Sequence, residues 1–179
     1  MDEWFQAWQG LRRGDPQAYE FLLERLGRGV WAYVRRMTGH DDLADELFSR
    51  TWLRLVETAG RIRSPQGIRQ YLLSIARRQW IDEMNRRRRA PPDPLDEAEF
   101  DGTADATPSR LEGLARQEDI GRLREAIDEL PEPLREVVVL RVYADLPFGQ
   151  IAEVLGIPLG TVLTRMRSAT HRLAKRLGD

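Results

Sequence analysis

The chain has 179 residues, 32% of them charged and 41% hydrophobic, and a net charge of −1, which suits a soluble protein with enough apolar surface for one or two small cores. It has no cysteine and only two histidines, His40 and His171. Disulfides, thiolate metal sites, a cysteine nucleophile and a histidine-rich metal cluster are therefore excluded.

Apolar residues recur at helical spacing almost throughout, and no segment alternates as a strand does. The opening Met1–Trp4 lacks the basic and apolar regions of a secretory leader, and no apolar run reaches the roughly 20 residues of a membrane span, so no membrane insertion and a cytoplasmic location are expected. Trp4, Phe5, Trp8 and Leu11 form a first short helix. Asp15 and Pro16 are a cap and a first-turn residue for a second, with Tyr19, Leu22, Leu23, Leu26, Val30, Tyr33, Val34 and Met37 on its stripe and Gly39 as its stop. Asp41 or Asp42 caps a third helix with Ala44, Leu47, Phe48, Trp52, Leu55 and Val56 inward. Ser64-Pro65 restarts the chain as a fourth, which carries Ile68, Tyr71, Leu72, Ile75, Ile81 and Met84 into Arg86–Arg89.

Residues 90–108 hold four prolines and six acids and read as a flexible linker, open to proteolysis. Beyond it come a helix with Ile120, Leu123, Ile127 and Leu130, another with Leu134, Val137, Val138 and Val142, and two short helices. The fold class expected is all-α: two small helical domains, 1–89 and 109–179, joined by that linker.

Charge is segregated along the chain. Residues 60–90 carry nine arginines against Asp82 and Glu83, a net of +7; residues 91–120 carry −7; residues 161–177 carry +5. Two basic blocks around an acidic one point to two polyanion sites, the alternative being solvated helix faces.

The most specific motif is Pro147-Phe148-Gly149-Gln150-Ile151-Ala152-Glu153-Val154-Leu155-Gly156-Ile157-Pro158-Leu159-Gly160-Thr161-Val162. Small Ala152 fits a close helix crossing, Gly156 a left-handed turn and Pro158 a helix start. This is the pattern of a helix-turn-helix whose second helix enters a DNA major groove. That helix offers Thr161, Leu163, Thr164, Arg165, Arg167, Ser168, His171 and Arg172 to DNA, with Leu163 suited to a thymine methyl.

Leu130–Arg141 followed by this motif resembles region 4 of extracytoplasmic-function (ECF) sigma factors of bacterial RNA polymerase. Asp15–Thr38, Asp41–Leu55 and Tyr71–Arg78, with Asp82 and the arginine run, resemble their region 2. The resemblance spans nearly the whole chain except the linker. It implies that the first domain binds the β′ clamp helices of core RNA polymerase and the promoter −10 element. The second would bind the β flap and the −35 element. By the same resemblance the loop Arg61–Gly67 receives a flipped −10 base. Contacts to the −10 element are expected from Arg61, Arg63, Ser64, Gln66, Arg77, Arg78, Trp80, Arg86 and Arg87. Tyr71 lies on the apolar stripe and reads as core, while the pattern leaves Trp80 open between core and base-stacking face. Asp42, Asp45, Glu46, Ser49, Arg50, Trp52 and Leu53 fall where the family meets core polymerase.

Three positions depart from the family pattern. Leu163 and Ser168 stand where basic residues are common, and Arg50 stands where an acid is common. Arg50 either pairs with Glu46 one turn back or repels a basic clamp surface. In the second case a phosphate on Thr51, favoured by its place beside the lost acid, or on Ser49 restores the acidic surface, with a Ser/Thr kinase as partner. No further C-terminal domain suggests built-in regulation, so an external anti-sigma factor is expected by the resemblance. No phosphate-binding glycine loop, metal constellation or nucleophile–base pair occurs, so neither a cofactor nor enzymatic activity is expected. The rival readings are a freestanding dimeric helix-turn-helix regulator and a sigma-like interaction protein impaired in core binding.

Overall fold

The structure is a computed structural model that describes residues 3–89 and 112–178, with side chains described from 118 onward in the second stretch. The expected flexible linker, 90–108, lies outside the described residues. Those residues form eight α-helices and no strand: α1 (Glu3–Arg13), α2 (Pro16–Thr38), α3 (Asp41–Thr58), α4 (Ile68–Arg89), α5 (Glu112–Asp128), α6 (Glu132–Val142), α7 (Phe148–Leu155) and α8 (Leu159–Gly178). Short 3₁₀ turns at Ala59–Arg61 and Pro65–Gly67 connect α3 to α4.

Local chemistry sets the boundaries. The Asp15 carboxylate accepts the Gln17 N–H at 3.0 Å, and Pro16, which has no N–H to orphan, opens α2. The expected carboxylate cap of α3 is absent. His40 occupies the cap without a side-chain bond, and Asp41 and Asp42 lie in the first turn, where acids favour the positive end of the helix dipole. The last helix is not short: α8 runs 20 residues because nothing after Gly160 breaks it.

Helices α1–α4 pack as one bundle, with Leu22, Val30, Leu47, Leu55, Leu72 and Ala76 inside, and α5–α8 as a second, with Val137, Leu140, Ile151 and Val162 inside; the buried residues of the two join in one continuous core. The two bundles pack against each other through α2 on α6 and α4 on α7. Gly29 makes a close approach possible: a Cβ there would lie 3.0 Å from the Tyr143 carbonyl oxygen. Buried at this seam, the Tyr33 hydroxyl donates to Glu136 Oε1 at 2.8 Å, and Arg77 Nε donates to the same oxygen at 2.9 Å. Arg36 pairs with Asp128 at 2.6 Å and stacks over Tyr143. Arg69 reaches Asp145, and Gln70 donates to Glu153.

Candidate nucleic-acid interface

The loop between α3 and α4 is held from beneath. Ile62 is buried, and its carbonyl accepts the Trp8 indole N–H at 3.0 Å. Helix α1 thereby fixes the middle of the loop, while Arg61 and Arg63 on either side of Ile62 are exposed. Gln66 is also exposed and Ser64 half-buried, with the Ser64 carbonyl accepting the Gly67 N–H at 3.2 Å. Trp8 was not among the expected site residues; its place on the apolar stripe of α1 signals packing and says nothing of the indole N–H.

Along α4, Arg78, Arg86 and Arg87 are exposed, whereas Arg77 is partly buried and engaged by Glu136. Trp80 corrects the expectation: it is 3% exposed and packed into the first bundle, so its ring cannot stack on a base. Its position four residues after Ala76 and eight after Leu72 puts it on their buried face. Tyr71 is half-buried against the core, as its stripe position implied.

The arginine-rich end of α4 is organised by one acid. The Glu83 side chain is 2% exposed although it stands among arginines. Arg86 contacts both of its oxygens at 2.6 and 2.9 Å, Arg87 donates to Oε1 at 3.0 Å, and Arg50 of α3 approaches Oε2 at 3.8 Å. The Arg86 hydrogen bond, followed by that of Arg87 and the charges of both, overcomes the cost of burial and lowers the carboxyl pKa to about 2.

Helix α8 is divided lengthwise. Val162, Met166, Ala169 and Leu173 face the second bundle, Val162 and Ala169 with no exposure at all. On the open face, Leu163, Thr164, Arg167, Ser168, His171 and Arg172 are exposed, with Thr161 and Arg165 half-buried at the margins. Thr164 spends its proton on the Gly160 carbonyl at 2.9 Å, leaving its methyl group and oxygen lone pairs outward. The turn before the helix has Gly156 at φ 67°, where its N–H meets the Ala152 and Glu153 carbonyls.

The third patch lies on α3. Asp42, Asp45, Glu46, Ser49, Arg50 and Leu53 are exposed, Leu53 by 66%, and Trp52 is partly buried against Phe48. Val56, expected inward, is 51% exposed and continues the apolar end of this face. Asp45 accepts the Trp31 indole N–H at 2.8 Å, and Glu46 pairs with Arg50 at 2.8 Å. Thr51 corrects the preference between the two expected phosphate acceptors. It has no exposure, and its hydroxyl donates to the Leu47 carbonyl at 2.7 Å, so no kinase reaches it in this fold; Ser49 is exposed.

Residues 22–90 match the family model "Sigma-70 region 2", and residues 120–173 match "Sigma-70, region 4". The ECF RNA polymerase sigma factor RpoE of Cereibacter sphaeroides is 31% identical over 98% of this chain and 95% of its own. The RNA polymerase sigma-H factor of Pseudomonas aeruginosa is 25% identical over 96% of this chain and 92% of its own. Among solved structures, the sigma factor RpoE bound to the anti-sigma factor NepR from Bartonella quintana superposes with a TM-score of 0.73 at 20% identity, covering 89% of this chain and 95% of that one. CnrH in complex with the cytosolic domain of CnrY superposes with a TM-score of 0.69 at 18% identity, covering 99% and 98%.

Proposed function

Because the chain belongs to the ECF sigma factors of the sigma-70 family and directs promoter-specific transcription initiation, we propose a division of that work between its two bundles. Residues 1–89 bind core polymerase through the α3 face and read the −10 element through the Arg61–Gly67 loop and the arginine end of α4. Residues 90–108 join this part to residues 109–179, which read the −35 element through the open face of α8. The observation that carries the reading is the separation of the two exposed basic surfaces onto different bundles, the Arg61–Gly67 loop and the end of α4 on one and the open face of α8 on the other. Leu163 and Ser168 give α8 fewer cations than the family pattern has, so discrimination rests on Thr164, Arg165 and Arg167 and on apolar contact from Leu163.

Reading both elements requires the bundles to separate. A packed chain of this length spans about 40 Å. Two elements centred about 25 base pairs apart lie roughly 85 Å from each other along duplex DNA. In the packed arrangement, moreover, Arg77 is spent on Glu136. Core polymerase and promoter therefore compete with the seam between the bundles. An anti-sigma factor that favours the packed form would act in the opposite sense; the similar sigma factor RpoE is seen in complex with the anti-sigma factor NepR.

The protein is not itself an enzyme and needs no cofactor; catalysis belongs to the polymerase. None of the described helices is long and apolar enough to cross a membrane, and the place of action is the cytoplasm, where the polymerase is. A phosphate on Ser49 from a Ser/Thr kinase would add about −1.5 to −2 charges beside Arg50 and strengthen the acidic α3 face. The test is transcription by core polymerase on a randomised promoter library, with and without this protein. Enrichment of templates sharing two separated motifs supports the reading, and no protein-dependent transcript overturns it.

A further inference from the structure

Glu83 is out of place for a solvated helix face. It is buried beside two exposed arginines of its own helix and reached by a third from α3. A carboxylate that only screened repulsion among Arg86–Arg89 could do so in water, with no desolvation to offset. Its contact with Arg86 instead uses both carboxylate oxygens and two guanidinium nitrogens, a geometry that fixes a plane as well as a charge. Arg50 then continues the chain to Glu46 on the polymerase-facing surface. Arg86 remains 69% exposed and Arg87 45% exposed, so both are held at their inner edge and open at their outer one.

We propose that Glu83 is a positioning residue for promoter DNA: it sets the planes of Arg86 and Arg87 for the phosphates of the −10 strand and, through Arg50, ties that end of α4 to the polymerase-facing side of α3. The proposal rests on the reading of Arg86 and Arg87 as DNA contacts. An arginine already oriented forfeits less side-chain freedom when it meets a phosphate, and its remaining donors point outward.

The sign of one substitution separates this role from simple electrostatics. Glu83→Gln removes a negative charge from beside a phosphate-binding surface, so charge alone predicts tighter binding and a steeper salt dependence. Positioning predicts the reverse. Holoenzyme carrying Glu83→Gln should bind a forked −10 probe about tenfold more weakly, with the slope of log affinity against log salt shallower by about 0.7 for each single-strand phosphate that the arginines no longer neutralise. Glu83→Asp keeps the charge, shortens the reach and should show the same direction of change, which keeps the test open if the glutamine variant fails to fold. Affinity for core polymerase, measured alongside, normalises both. Combined with Arg86→Ala and Arg87→Ala together, Glu83→Gln should weaken binding little further. Binding equal to or tighter than wild type in both Glu83 variants, while Arg86→Ala and Arg87→Ala weaken it, overturns the positioning role. Unchanged binding in Arg86→Ala and Arg87→Ala overturns the reading beneath it as well.

Discussion

Tyr33→Phe removes one oxygen atom from the seam between the two bundles. The bond it deletes joins residues 103 positions apart and exists only while the bundles are packed, since Tyr33 is on α2 and Glu136 on α6. Tyr33 has no exposure and Glu136 has 4%, so no water replaces the lost donor without rearrangement. A hydrogen bond to a charged group contributes roughly 1.5–3 kcal/mol. Separated bundles solvate both residues, so the loss falls wholly on the packed state. The ratio of separated to packed molecules should rise by roughly 10- to 150-fold. The absence of cysteine makes the assay direct: Gln17→Cys and Lys175→Cys, both at exposed positions, take a dye pair for single-molecule energy transfer. Alkaline pH gives an independent check. Burial first, then the charge and hydrogen bond of Glu136, hold the Tyr33 hydroxyl pKa well above its usual 10. The group's stabilisation is therefore fully present below pH 10 and declines as pH rises above it, in wild type and not in Tyr33→Phe. A Tyr33→Phe protein with the wild-type distance distribution would refute the claim that this buried bond governs packing.

Three further outcomes follow from the same geometry. Trp80→Ala should cost about 3–5 kcal/mol of stability by emptying core volume, whereas Trp80→Phe, if it folds, should bind the −10 strand as wild type does; selective loss of −10 binding in the phenylalanine variant would restore Trp80 as a stacking face. Ser49→Glu should shift stability by no more than about 0.5 kcal/mol and tighten core binding, while Thr51→Glu, which forces a carboxylate into a site with no exposure, should lose several kcal/mol; equal melting temperatures for the two would contradict the burial of Thr51. Acid should destabilise the first bundle as Glu83 gains a proton. Its pKa is lowered from 4.5 to about 2, so its contribution is present above about pH 4.5 and lost as pH falls towards 2. Urea titrations across that range should show a steeper loss for wild type than for Glu83→Gln, and parallel curves would sink the assignment.

Much of the fold is legible from local signals. Asp15-Pro16, Gly39 and Gly156 mark helix ends because each solves a local backbone problem, and the helix-turn-helix motif needs only residues within one short segment. Phase is harder to read. Thr51 and Ser49 are two residues apart, about 200° around a helix, so one is sealed in and the other open, and a family alignment does not reveal which. Val56 falls at the edge of its apolar stripe, where only the neighbouring helix decides exposure, whereas Trp80 follows Leu72 and Ala76 at helical spacing and its burial is there to be read. Glu83 has the sequence surroundings of a solvated acid, because its arginine neighbours on α4 are visible there and the packing of α3 that buries it is not. Tyr33–Glu136 and Trp8–Ile62 join residues far apart in the chain; Tyr33 and Trp8 read as ordinary members of amphipathic stripes, and nothing local marks a buried acid or a loop carbonyl as their partner.

The most direct test of the two-surface account is a hydroxyl-radical footprint of core polymerase with this protein on a promoter it transcribes. Two protected patches centred about 25 base pairs, or roughly 85 Å, apart are predicted. Arg167→Ala should weaken only the upstream patch, and Arg61→Ala with Arg63→Ala only the downstream one, where thymines should also become reactive to permanganate as the strands part. A single patch, or loss of both patches from either set of substitutions, would contradict the assignment of α8 and the Arg61–Gly67 loop to separate elements.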